Sequence, residues 1–324
     1  MYDSEPLGKL LDVKPPPFLI EELLRKNTIT LLASEPYTGK TLIMLYWALC
    51  MESGKKVFDK YQIPVRTSSM FLALDSPRWD IALQLQKLSV GLNLTSADYA
   101  MMDSHILTRG KIPRPQLLDP KFGEWLCELR DEKEIDTIFI DTGRQIHSKN
   151  ENSSDEMGTV MEKMQELVDK EQLTIIVAAH DGKPGLTPKS ALYRVRGSTV
   201  IPGSVDYHYS LGLNKHDQII FDGTAKRRGG GRRQGHLLLE LKDLPNEGLG
   251  IAIVEEQQDA ETQNVSEELV LGALASDTQL PAPQIVEKSG LSYNVVQKVL
   301  AKLLDEGKVE RPARGVWKLA SVSQ

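Results

Sequence analysis

The apolar positions of the chain follow two rhythms. Thr28–Ala33, Met70–Leu74, Ile138–Ile140 and Thr174–Ala179 are short, nearly unbroken runs, and each stops at a polar residue: Ser34, Asp75, Asp141 and His180. Runs of that length without polar alternation predict strands buried on both faces. Longer stretches with helical spacing lie between them. Leu42–Leu49 follows the first strand, Ile81–Val90 carries Ile81, Leu83, Leu85, Leu88 and Val90, and Pro115–Glu132 carries Leu117, Leu118, Trp125, Leu126 and Leu129. Glu156–Lys170 sets Met157, Val160, Met161, Met164, Leu167 and Val168 along one side. His105–Thr108 reads as a further strand. Strands alternating with helices predict an α/β fold with a mostly parallel central sheet, covered on both faces.

The rhythm changes at both ends. Pro15–Pro17 stops regular structure, and Phe18–Leu24 is expected to form one or two helical turns. From about 205 onward, Tyr207–Leu213, Gln218–Asp222, His236–Lys242 and Gly250–Val254 alternate and predict a run of antiparallel edge strands. Gln257–Asn264 is polar and reads as a linker. Beyond it, Val265–Ala275, Ala282–Ser289 and Ser292–Glu306 predict three helices, and Lys308–Leu319 a hairpin around Arg314-Gly315. That order has the shape of a small C-terminal winged helix-turn-helix. The expected division is an N-terminal segment 1–26, an α/β domain 27–255, a linker 256–264 and a winged helix 265–324.

Composition narrows the setting. The 324 residues carry a net charge of −6, which argues against attachment to nucleic acid along the whole surface and leaves only local contacts. Cys50 and Cys127 lie in apolar helical contexts and are expected to be buried, reduced thiols. No run approaches the length of a membrane span, and the first residues lack a basic region followed by an apolar one. A cytoplasmic protein with no membrane partner is the expectation.

The chemistry concentrates at Ser34-Glu-Pro-Tyr-Thr-Gly-Lys-Thr41, between the first strand and its helix. In that context the stretch predicts a phosphate cradle for ATP. Backbone N–H groups from Ser34 to Gly39, Thr38 among them, surround the phosphates, Lys40 reaches the terminal ones, and the Thr41 hydroxyl ligates Mg²⁺. Ser34 stands where this motif usually has its first glycine. Asp141, ending a strand about a hundred residues later, is the candidate second Mg²⁺ carboxylate, with Asp136 at the start of that strand as its competitor. Asp75 is either a general base for water or the N-cap of the next helix. His180 either senses the γ-phosphate or is a polar strand terminus.

Together these pieces resemble the RecA-like ATPases, in particular the RepA-type hexameric helicases of plasmids and mobile elements. The resemblance runs from about Leu7 to Val254. It rests on Pro15–Leu24, Ser53-Gly-Lys-Lys-Val-Phe58, Phe71–Pro77, Phe139-Ile-Asp-Thr-Gly143 and Asn150–Met157. It continues through Val177–His180, Arg196–Asp206 and Ala225-Lys-Arg-Arg-Gly229. It implies phosphate binding by Gly39, Lys40 and Thr41, with Mg²⁺ held by Thr41 and Asp141. Asp75 falls where the family has a catalytic glutamate, one methylene longer. Lys226 and Arg228 fall where the family has a basic pair reaching into the neighbouring subunit's site, which implies a homo-oligomer, expected to be a hexameric ring. Taken alone, Lys226-Arg-Arg228 is a solvated turn.

The stretch Gly182–Gly197 carries Lys183, Lys189, Arg194 and Arg196 and no acid. By resemblance, loops in this place line a ring's channel and track the phosphates of single-stranded DNA. Arg228–Arg233 is a second cationic stretch, glycine-rich. From Ser266 onward seven basic residues balance seven acidic ones, so the C-terminal module is expected to meet either duplex DNA, through Asn294, Gln297, Lys298 and Lys302, or a replication protein. Three readings follow. The first is an ATP-driven motor on single-stranded DNA in the replication of a plasmid, phage or integrated element. The second is an ATP-dependent DNA-binding regulator or recombination-type assembly factor without strand separation. The third is a nucleotide-gated scaffold that hydrolyses ATP slowly.

Overall fold

The computed structural model describes residues 6–110, 115–180, 198, 200–227, 236–257, 260–275, 279–291, 293–313 and 315–320. The chain divides into two compact units, Met1–Gln257 and Gln258–Gln324. The first unit opens with α1 (Leu7–Leu10), the short strands β1 (Phe18–Ile20) and β2 (Leu24–Arg25), and β3 (Ile29–Ser34). There follow α2 (Lys40–Ser53), β4 (Ser69–Ala73), α3 (Arg78–Gly91), α4 (Ser96–Ala100), β5 (His105–Thr108), α5 (Pro120–Lys133) and β6 (Thr137–Asp141). A 3-10 turn at Gly143–Ile146 leads to α6 (Ser154–Asp169), β7 (Thr174–His180) and α7 (Val200–Ser204). The unit closes with β8 (Tyr207–Leu213), β9 (Ile219–Arg227), β10 (His236–Leu244) and β11 (Gly248–Gln257).

These strands form one nine-stranded sheet in the order β11-β10-β9-β8-β3-β7-β6-β4-β5. From β8 to β5 every pairing is parallel, and β9, β10 and β11 add antiparallel strands beyond β8. Strands β3, β4 and β6 are buried along their whole length, as unbroken apolar runs require of a sheet covered on two sides. One core gathers α2, with Trp47 and Met44, against Tyr209, Phe221 and Leu239. A second core packs Met157, Met161 and Met164 of α6, and Leu126 of α5, against Leu31, Ile138 and Ile175. This is a RecA-like arrangement of an α/β sheet.

Helix ends explain several boundaries. Helix α5 starts at Pro120 rather than Pro115, because Asp119 caps it and Pro120 supplies the preset first turn. The Ser153 side chain caps α6. At the end of α3, a Cβ on Gly91 would lie 2.0 Å from the Leu249 carbonyl oxygen, so only glycine lets this helix close on β11.

Three expectations are corrected. Phe18–Leu24 forms the β1–β2 hairpin, not helical turns, and Leu19, Ile20, Leu23 and Leu24 are buried in the first core. Four neighbouring apolar residues can be buried by a tight hairpin as well as by a helix, and Glu22 at φ 62 supplies the bend. Strand β8 is not an antiparallel edge strand, because it pairs parallel with β3 inside the sheet. The polar stretch 256–264 is not a free linker: β11 runs to Gln257 and a helix begins at Ala260. Polar residues such as Glu and Gln are good helix formers, so low hydrophobicity alone does not exclude a helix.

The second unit holds α8 (Ala260–Ala275), β12 (Leu280–Pro281), α9 (Ala282–Ser289), α10 (Tyr293–Asp305), β13 (Val309–Ala313) and β14 (Val316–Leu319). Its three-stranded sheet has the order β12-β14-β13, and Val270, Ile285, Val296, Leu300, Leu303 and Trp317 form its core. Among the described residues no helix is long and apolar enough to cross a membrane.

Candidate nucleotide site

The parallel strands end together, and the polar residues that stop them meet at that edge. In register, Ser34 of β3 lies beside His180 of β7, and Ala73 of β4 beside Asp141 of β6. The Leu74 N–H donates to the Asp141 carbonyl at 2.9 Å, which carries Asp75 past the strand end at the same edge. Crevices outside the carboxyl ends of such strands are where α/β sheets take ligands.

The turn from β3 into α2 is built by local constraints. Tyr37 has φ 64 and Gly39 φ 97, both left-handed, and a Cβ on Gly39 would also lie 3.2 Å from Ile219 Cδ1. The Thr38 and Ser34 hydroxyls donate to the Glu35 carbonyl at 2.8 and 2.7 Å. Lys40 is buried and its ammonium is folded into the turn. It donates to the Ser34 carbonyl at 3.0 Å, the Ser34 hydroxyl at 2.7 Å and the Glu35 carbonyl at 2.9 Å, and lies 3.5 Å from His180 Nδ1. The cation is therefore held at the concave side of a turn whose following helix begins at Lys40 itself.

Thr41 Oγ1 donates to Asp141 Oδ2 at 2.6 Å. Burial pushes the Asp141 carboxyl above its ordinary pKa, against the opposing pull of the Thr41 hydrogen bond and the Lys40 charge, while the nearby Asp75 charge adds to the rise. A desolvated carboxylate beside a hydroxyl is an all-oxygen donor pair of the hard kind that suits Mg²⁺, which keeps its other positions for water and phosphate oxygens. Among the described residues no cluster of three or more His, Cys, Asp or Glu side chains could hold a metal. Asp136 is elsewhere. It precedes β6 at the opposite end of the strand and accepts from Lys26 Nζ at 2.6 Å.

Asp75 does not cap α3. The N-cap position is Pro77, and no side chain caps that helix. Instead Asp75 Oδ1 accepts from Gln145 Nε2 at 2.8 Å, and the Asp75 carbonyl lies 3.4 Å from Arg109 Nη1. Gln145, on the 3-10 turn after Asp141, was not singled out by the sequence. No periodicity or motif marks it, since it approaches Asp75 only through the folding of that turn. Lys226 lies on β9 opposite His208 of β8. Arg228, Lys183, Lys189, Arg194 and Arg196 lie outside the described residues.

Comparisons with known proteins bear on the family and the fold. A family model described as the AAA domain matches residues 6–185. Among solved structures, an ATPase domain superposes with a TM-score of 0.50 at 13% identity, covering 71% of this chain and 86% of that one, a likeness of fold. No curated protein sequence matches the chain.

Proposed function

The chain belongs to the AAA domain family, and from that premise we propose that it hydrolyses ATP with Mg²⁺ and uses the energy to move along single-stranded DNA as a ring-forming, helicase-like motor. The observation that carries the reading is the convergence of Lys40, Thr41, Asp141 and Asp75 at one sheet edge, fixed by the 2.6 Å bond from Thr41 to Asp141.

In this reading the N–H groups of the turn and the start of α2 bind the phosphates, and Lys40 swings from its carbonyl partners to the terminal ones. Thr41 and Asp141 would hold Mg²⁺, which when bound neutralises phosphate charge and orients the nucleotide. Asp75, aligned by Gln145, takes a proton from the attacking water, and His180 reports the state of the γ-phosphate to the segment that follows it. Lys226 and Arg228 would complete the site of a neighbouring copy. The basic stretch Gly182–Gly197 would contact the strand.

The C-terminal unit fits a winged helix. Its surface charges favour a protein partner over duplex DNA. Lys302 Nζ is 2.5 Å from Glu267 Oε1, Lys308 Nζ 2.6 Å from Glu306 Oε2, Lys318 Nζ 2.8 Å from Glu310 Oε2, and the Arg311 guanidinium lies over Trp317. The three lysines paired with glutamates are partly offset by them and contribute less to phosphate binding.

The test is ATP turnover with and without single-stranded DNA, then unwinding of a forked duplex. Lys40→Ala is expected to abolish turnover in a folded protein. Stimulation by single strands without unwinding would favour the regulator, and turnover indifferent to DNA would overturn the motor.

A further inference from the structure

A cavity of ≈ 170 Å³ lies on the α6 side of the sheet, and no residue of the phosphate turn lines it. Met157, Met161 and Met164 of α6 line it together with Leu31 of β3 and Val177 of β7. The cavity is partly open rather than enclosed, and the atoms along its walls forgo the contacts a packed neighbour would give them. Three of the chain's nine methionines stand at this one. Unbranched thioether side chains reshape around an occupant at little cost.

Its size and walls define what it takes. Its volume is close to that of an engineered cavity of about 150 Å³ that accepts benzene or xenon. The polar lining, Thr142, Arg144, His147, Glu151 and His180, includes one cationic and one acidic side chain and so offers no single-sign field for a charged ligand.

One wall belongs to the nucleotide site. His180 lines the cavity, and its Nδ1 is 3.5 Å from Lys40 Nζ. Thr142 and Gly143, which follow Asp141 directly, line it as well. An occupant would therefore touch the two segments that carry His180 and Asp141.

We propose that this cavity is a binding site for a small uncharged aromatic or aliphatic molecule, and that its occupancy changes nucleotide affinity through His180. The second half rests on the assignment of Lys40 to nucleotide binding, and the first half does not.

The experiment uses the full chain with 5-fluoroindole, followed by fluorine NMR, and xenon as a second probe. Binding is expected with a dissociation constant on the order of 1 mM or tighter for a molecule of this size. Val160→Phe from α6 and Ile201→Phe from α7 each fill the cavity, and a folded example of either is expected to abolish binding. The affinity of a fluorescent ATP analogue is then measured with the cavity empty and saturated. A change of about 3-fold or more is expected in the unaltered chain and none in His180→Ala, which still binds the probe. Failure of both probes to bind, or binding that survives in the folded filled variants, overturns the site. Binding without any change in nucleotide affinity overturns the coupling. A chain that binds the probes but no nucleotide overturns instead the reading of the phosphate turn.

Discussion

The Ser34 hydroxyl accepts a hydrogen bond from Lys40 Nζ at 2.7 Å and donates its own proton to the Glu35 carbonyl. The residue that departs from the usual glycine therefore competes with phosphate for the lysine. Hydrogen bonds to charged groups contribute about 1.5–3 kcal/mol, and Lys40 keeps two carbonyl acceptors when this one is removed. Ser34→Gly is expected to tighten ATP binding about 3- to 10-fold, read by titration of a fluorescent analogue. Unchanged or weaker binding in a folded variant would show that the hydroxyl is not a competitor.

Asp141 ties function to stability. Its carboxyl titrates above the ordinary aspartate value because burial disfavours the charge. The folded state then holds a proton that the unfolded state has lost, and stability falls as pH rises from the unfolded value through the folded one. At neutral pH the charge is a cost in the nucleotide-free protein. Asp141→Asn keeps an acceptor for Thr41 and removes that cost. It is expected to raise the melting temperature in EDTA at pH 7, with the gain shrinking as pH is lowered. The same variant is expected to lose the Mg²⁺ dependence of nucleotide binding. A lower melting temperature at pH 7 would contradict the desolvation argument.

Asp75 and Gln145 act as a pair. Asp75→Asn is expected to lower kcat with little change in nucleotide affinity, since a base acts on water rather than on bound ATP. Asp75→Glu is expected to raise kcat, because the longer carboxylate reaches further toward the water. Gln145→Ala frees the carboxylate from its 2.8 Å partner and is expected to lower kcat by several-fold at unchanged KM. Equal losses in kcat and in melting temperature for all three would assign them a purely structural role.

Most of the sheet was legible because burial on both faces leaves a plain signature: runs such as Thr174–Ala179 have no polar interruption, and each ends on the residue that faces the site. The turn from β3 into α2 was legible because its conformation needs particular residues, Gly39 above all. Phe18–Leu24 forms a hairpin where helical turns are expected, since a seven-residue segment broken by Glu21 and Glu22 has too few turns to separate periods of two and 3.6. The parallel pairing of β8 with β3 was hidden because alternation reports exposure of a face, not strand direction. Gln145 was invisible for a different reason: its contact with Asp75 spans 70 residues and depends on a short 3-10 turn that no periodicity marks.

Assembly gives the most demanding test. Lys226 sits on β9, next to the segment that carries Arg228, and opposite His208. If Lys226 and Arg228 serve a neighbouring copy, the isolated chain has an incomplete site. Specific activity is then expected to rise with protein concentration until oligomers fill. Arg228→Ala is expected to bind ATP normally and hydrolyse it on the order of 10³-fold more slowly, the loss typical of a charge-stabilising arginine. Lys40→Ala is expected to be inactive through the opposite defect, an intact basic pair beside a damaged turn. Mixing the two variants creates interfaces where an intact turn meets an intact pair, so part of the activity is expected to return. Each measurement is paired with sedimentation to show that the variants co-assemble. Turnover independent of concentration, or no rescue in mixtures that do co-assemble, would make the basic pair a solvated turn and leave each chain to work alone.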